Sequence, residues 1–106
     1  MGRMVQIVSG GQTGVDQGAL EACQWCGFPY GGWVPNGRKT ENGKLPPHFQ
    51  GMKEHPSTDY LARTEANVVD SDATAVLTFG KPSGGSLRTI KFAKKHKRPW
   101  FHANLR

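Results

Sequence analysis

At 106 residues with 36% hydrophobic composition, the chain has the size of one domain, residues 1–106, with a real but small core. Its formal net charge of +6 is uneven, because residues 81–106 hold eight Lys or Arg and no Asp or Glu. That skew favours an anionic partner, and it also describes an ordinary solvated helix. No run approaches the roughly 18 apolar residues that span a bilayer, and the N-terminus lacks the apolar stretch of a signal peptide, so the expectation is a cytoplasmic protein with no membrane partner.

The run Met4-Val5-Gln6-Ile7-Val8 reads as a first strand over 4–9, followed at once by "SGGQTGVD", Ser9 to Asp16. A helix is expected over 15–26, with Val15, Ala19, Leu20, Ala22 and Cys23 on one buried face and Gly27 as its stop. Its pair Cys23-Gln24-Trp25-Cys26 closes the helix, whereas a redox pair opens one, and no second ligand pair follows for zinc; packing is the preferred reading. Phe28-Pro29-Tyr30 reads as a short strand. The Pro-, Gly- and Asn-rich "GGWVPNGRKTENGKLPPHF" after it reads as a long irregular segment, its stretch from Trp33 to His48 a flap over a ligand.

An extended piece near 50–54 precedes a helix capped by Ser57 or Thr58 and running to Val69. "TAVLTF", residues 74–79, is apolar enough for a central strand covered on both faces. The turn "GKPSGGS" then leads to a helix from about Gly85 to His96, and Pro99 to Ala103 form a last strand. Strands alternating with helices predict an α/β fold, a Rossmann-like three-layer sandwich with a mainly parallel sheet of about five strands.

Two loops share one construction: a strand, small residues, a helix start. In a doubly wound sheet such loops meet at the carboxyl ends of neighbouring strands. Helix starts offer unpaired N–H groups and a positive dipole end, and glycines clear room for an anion. Neither loop matches G-x-G-x-x-G or GxxxxGK[ST], which argues against ATP hydrolysis. Glycines that merely turn the chain are the competing explanation for either loop alone.

The segments "SGGQTGVDQGALEAC", "GGWVPNGR", "YLARTEANVVDSDATAVLTFG" and "SGGSLRTIKFAKKHKRPW" resemble, in this order, the molybdenum-carrier family, relatives of molybdenum-cofactor carrier proteins. The resemblance implies the Rossmann-like fold shared with LONELY GUY and DprA proteins, a homo-oligomer (dimer or tetramer), and a bound phosphorylated pterin or nucleotide-like ligand. The matching positions are Gly10, Gly11, Thr13, Gly14, Asp16, Trp33, Pro35, Gly37, Arg38, Arg63, Thr64, Glu65, Asn67, Gly84, Gly85 and Thr89. Family members continue through another strand and helix past the position of Arg106, which implies that a second subunit covers the last strand here. They also often carry Cys where this chain has Val34, so no thiol–metal contact is expected there.

In the expected binding site Gly10, Gly11, Gln12, Thr13 and Gly14 hold a phosphate, with Asp16 in the first helical turn. Ser83, Gly84, Gly85, Ser86 and Thr89 line the opposite wall. Arg38 and Arg63 fork onto phosphate oxygens and Trp33 stacks on a ring, each against a structural alternative: Trp33 as a core plug, Arg63 paired with Asp59 or Asn67. Asn67 completes the set by resemblance.

Catalytic residues are not assigned. The LONELY GUY motif P-G-G-x-G-T-x-x-E, aligned on Gly84-Gly85, puts Arg88 at its Thr and Lys91 at its catalytic Glu. His48, His55, His96 and His102 show no metal-ligand spacing, so no metal site is expected. The preferred function is a carrier for a phosphorylated ring-bearing molecule, by resemblance molybdenum cofactor (molybdopterin). The alternative is a nucleotide-binding sensor or a phosphoribohydrolase-like enzyme. A third reading is DprA-like nucleic-acid binding through Arg88, Lys91, Lys94, Lys95, Lys97 and Arg98.

Overall fold

The computed structural model describes residues 6–106, so Met4 and Val5 of the expected first strand lie outside the described residues. It is a mixed α/β fold with three α-helices and several short strands, and it divides into two units, residues up to Arg63 and residues from Thr64.

The first unit contains β1 (Ile7–Val8), α1 (Val15–Cys26), β2 (Tyr30–Gly31), β3 (Trp33–Val34), a 3-10 turn at Asn36–Arg38, β4 (Lys39–Thr40), β5 (Gly43–Lys44) and β6 (Lys53–Glu54). α1 ends as the sequence predicts: Gly27 takes the left-handed conformation and its N–H reaches back toward the Cys23 and Gln24 carbonyls. β1 runs parallel to β2, with Ile7 opposite Tyr30. After Gly32 the same extended run continues as β3, which pairs in parallel with β6, Trp33 opposite Lys53. β4 and β5 form an antiparallel hairpin. The ladders among the described residues are thus two-stranded.

The long irregular segment is where sequence reasoning departs most from the structure. Val34, Leu45 and Phe49, all from it, join Leu20 of α1 in the core cluster, and none of the four is more than 2% exposed. Pro, Gly and Asn dictated many turns, and the turns deliver spaced apolar residues inward. Full burial of each such side chain contributes about 1.5–3 kcal/mol, which makes this segment the wall of the core rather than a flap.

Helix α2 (Tyr60–Val69) starts later than expected because the cap is neither Ser57 nor Thr58. Asp59 accepts the Leu61 N–H at 2.9 Å, while Ser57 Oγ accepts the Asp59 N–H.

In the second unit β7 (Thr74–Thr78) runs parallel to β8 (Trp100–Asn104), and α3 (Gly84–Lys95) packs on β7. Val68, Val76, Ile90 and Ala93 are its buried apolar residues. The expectation that both faces of β7 are covered fails. Only Val76 is buried along the strand, Ala75 and Leu77 are exposed, and so is Phe101, which faces Ala75 across the ladder. The packing assigned to the cysteine pair holds for one member: Cys23 is buried, Cys26 is exposed, and both are free thiols.

Candidate anion-binding site

β1 delivers the chain into the loop Ser9 to Gly14, and Val15 opens α1 directly after it. Each of the first two glycines has a local reason. A Cβ on Gly10 would overlap the Arg63 guanidinium and lie 3.0 Å from Asp16 Oδ2. Gly11 has φ +71°, and a Cβ there would press to 2.9 Å from Val34 Cγ1. At Gly14 the space beside a Cβ is open, and its φ of 87° with ψ of −130° is the constraint.

The loop is laced by its own side chains. Ser9 Oγ donates to the Asp16 carbonyl at 2.8 Å and accepts the Gly11 N–H at 3.2 Å. Asp16 Oδ2 accepts the Gln12 N–H at 3.2 Å. Gln12 Oε1 accepts from Thr13 N at 3.1 Å and from Glu41 N at 2.8 Å, tying the loop to the β4–β5 turn, and Gln17 Nε2 donates to the Gly11 carbonyl. Sequence reasoning missed Ser9, Gln17 and Glu41. The signal for Ser9 was present, since a Ser two residues before an amide in a Gly-rich turn is poised to accept from it.

Arg63 rises from α2 against Gly10. Its side chain is 10% exposed, its Nη1 stands 3.8 Å from Asp16 Oδ2, and its Nε is buried with no hydrogen-bond partner among the described residues. The acid beside Arg63 Nη1 is therefore Asp16, from the first turn of α1. Burial lowers the Arg63 pKa from its usual value, against the smaller opposing pull of Asp16 and Tyr60. The Asp16 side chain is 37% exposed, and desolvation still pushes its carboxyl above the usual range, with Arg63 and the Gln12 N–H only partly offsetting this. A buried guanidinium and a helix start thus flank a loop whose Gly11, Gln12 and Thr13 N–H groups are held by Ser9 Oγ, Asp16 Oδ2 and Gln12 Oε1. The helix dipole adds only about 0.3–1 kcal/mol to such a site.

The other expected residues are placed differently. Arg38, at φ 58°, spends Nη2 on the carbonyls of Pro46 (3.1 Å) and Phe49 (3.0 Å), so it staples the core segment. Trp33 is half-buried, edge-on to His55 at 5.6 Å, with Lys53 Nζ 4.9 Å from its ring centre. In the second unit, Ser83 is the residue before α3 and its carbonyl accepts the Ser86 and Leu87 N–H groups; Gly84 and Gly85 form the first turn. Thr89 donates to the Gly85 carbonyl. Asn67 lies half-buried on α2, its carbonyl accepting from Ser71 Oγ.

Several charged side chains of the second unit are paired within it. Glu65 Oε2 receives Lys95 Nζ at 2.8 Å and His96 Nε2 at 2.7 Å, which hold its carboxyl below the usual range. Arg98 Nη2 donates to the Val69 carbonyl, and Lys94 sits over the Trp100 ring. Half of the basic stretch assigned to nucleic acid, Lys94, Lys95 and Arg98, therefore has contacts within its own unit. No group of three or more His, Cys, Asp or Glu among the described residues could hold a metal ion. No helix among them is long and apolar enough to cross a membrane.

A family model, the circularly permutated YpsA SLOG family, matches residues 7–106. The crystal structure of "Putative molybdenum carrier protein" from Syntrophus aciditrophicus SB superposes with a TM-score of 0.93 at 46% sequence identity, over 96% of this chain and 64% of that one. This chain thus spans a little under two thirds of the length of that relative. No curated protein matches.

Proposed function

Because this chain belongs to the circularly permutated YpsA SLOG family, we propose that it is a carrier that binds a phosphorylated, ring-bearing small molecule in the cytoplasm, with phosphate on the Gly10 to Gly14 loop. One observation carries this reading: the buried Arg63 guanidinium, its Nε lacking a partner among the described residues, set against Gly10 beside the start of α1. A buried guanidinium in that place is costly unless an anion completes it.

The relative named as a molybdenum carrier supports molybdenum cofactor as the cargo. The proposed Rossmann-like sheet of about five strands joins the observed strand pairs into a single ligand-binding domain. Ser83 to Ser86 and Thr89 are proposed as a second small-residue loop serving the ligand. A homo-oligomer is proposed as well, supported by the exposed Leu77, Phe79, Phe101 and Leu105.

Mass spectrometry of freshly purified protein, native and then acid-denatured, tests the cargo. Release of a pterin or its oxidation product, absent from a Thr13→Asp variant, is the expected result. Release of a purine nucleotide replaces the carrier with the nucleotide-sensor or phosphoribohydrolase-like reading. Release of the same molecule from the variant removes it from this loop.

A further inference from the structure

The group nearest the proposed phosphate position is itself an anion. Asp16 Oδ2 holds the Gln12 N–H at 3.2 Å and stands 3.8 Å from Arg63 Nη1, so it occupies two of the contacts that an incoming oxyanion would use. An ionised carboxylate only accepts hydrogen bonds, and beside a second anion it repels. A protonated carboxyl reverses both effects, because its O–H donates to the ligand oxygen it would otherwise oppose.

We propose that Asp16 sets the protonation state of the bound ligand: an oxyanion enters the loop together with one proton, shared between Asp16 Oδ2 and a ligand oxygen. The proposal rests on the reading of the Gly10 to Gly14 loop as the ligand site. The proton balance is simple. A phosphate monoester arriving as the monoanion brings the proton on its own hydroxyl, and an anion without a proton draws one from solvent onto Asp16. The site thereby selects monoanionic phosphate monoesters over dianions. The charged and titratable groups facing Asp16 are Arg63 on α2 and, behind it, Tyr60, whose ring Lys39 Nζ overlies at 4.6 Å. Asp16 is only partly covered, its side chain 37% exposed, and desolvation raises its carboxyl pKa against the opposing pull of Arg63 and the Gln12 N–H.

The test uses inorganic sulfate, which stays a dianion above about pH 4 and so brings no proton of its own. Amide shifts of the full chain are titrated with sulfate at several values from about pH 4 to about pH 8, for wild type and Asp16→Asn. The expected wild-type affinity falls with rising pH, approaching a limit of about ten-fold per pH unit above the Asp16 pKa, as uptake of one proton requires. The variant, whose side-chain amide donates permanently, binds more tightly at the upper end and shows a flat profile there. Any histidine contribution would persist in the variant. Wild type and variant with the same profile overturn the proton-sharing role and leave the loop as ligand site. A loop that binds sulfate in neither protein at any pH overturns the site reading itself, and this inference with it. The wild-type profile stands independently of whether the variant folds.

Discussion

Replacing Gly10 by Ala probes the seat of Arg63 directly. Gly10 does not have a left-handed φ, so the backbone accepts Ala, and loss of chain freedom in the unfolded state alone would stabilise by about 0.4–1 kcal/mol. Against this, the new Cβ would overlap the guanidinium, lie 2.8 Å from Arg63 Cζ and crowd Asp16 Oδ2. The far end of an arginine ordinarily swings away at little cost. Here the side chain is only 10% exposed, so moving it disturbs packing on all sides. Overpacking of that kind costs about 1–3 kcal/mol, which leaves a net loss of up to about 2.6 kcal/mol, or a Tm lower by up to roughly 12 °C for a chain of this size. Thermal unfolding of Gly10→Ala, Arg63→Ala and the double variant closes the cycle. With the guanidinium removed, the Gly10 substitution is expected to become neutral or stabilising. An equal cost in both backgrounds would refute the seat assigned to Arg63.

Phe49→Ala is expected to cost about 3–5 kcal/mol in denaturant unfolding, and a cost below about 1 kcal/mol would return its segment to the status of a mobile flap. Arg38→Lys is expected to lose about 1–3 kcal/mol in denaturant unfolding through the two carbonyls it leaves, and an unchanged stability would remove the staple assigned to its Nη2. Glu65 has a folded-state pKa below its unfolded value, so its pairing stabilises above the ordinary glutamate range and is lost as pH falls through the depressed value. Melting curves over that acid range should show a shallower loss for Glu65→Gln than for wild type, and parallel curves would remove the link.

The α/β class and the ends of α1 were legible because their signals are local: apolar spacing for the helix and a glycine for its left-handed stop. The loop after β1 was legible as a special place, and the family likeness was carried by its motif. What its glycines accommodate was not legible, since Arg63 and Val34 lie far off in sequence. Asp16 was read as a ligand-site position in the first helical turn, and its contacts with the Gln12 N–H and Arg63 were not legible. The contacts of Arg38 were hidden for the same reason: a fork of donors serves carbonyls as well as phosphates, and only the fold brings those of Pro46 and Phe49 within reach of its Nη2. The core role of Leu45 and Phe49 was hidden by turn residues around them, which mark where a chain bends and not what it carries inward.

The most direct test of the proposed loop is to titrate inorganic phosphate into uniformly labelled protein near pH 6 and follow the backbone amides together with the Arg63 Nε–H. Saturable shifts concentrated at Gln12, Thr13, Gly14 and Val15 and at the Arg63 side chain are the expected result. Saturable shifts confined elsewhere, with those signals unmoved, would contradict the assignment of phosphate to this loop.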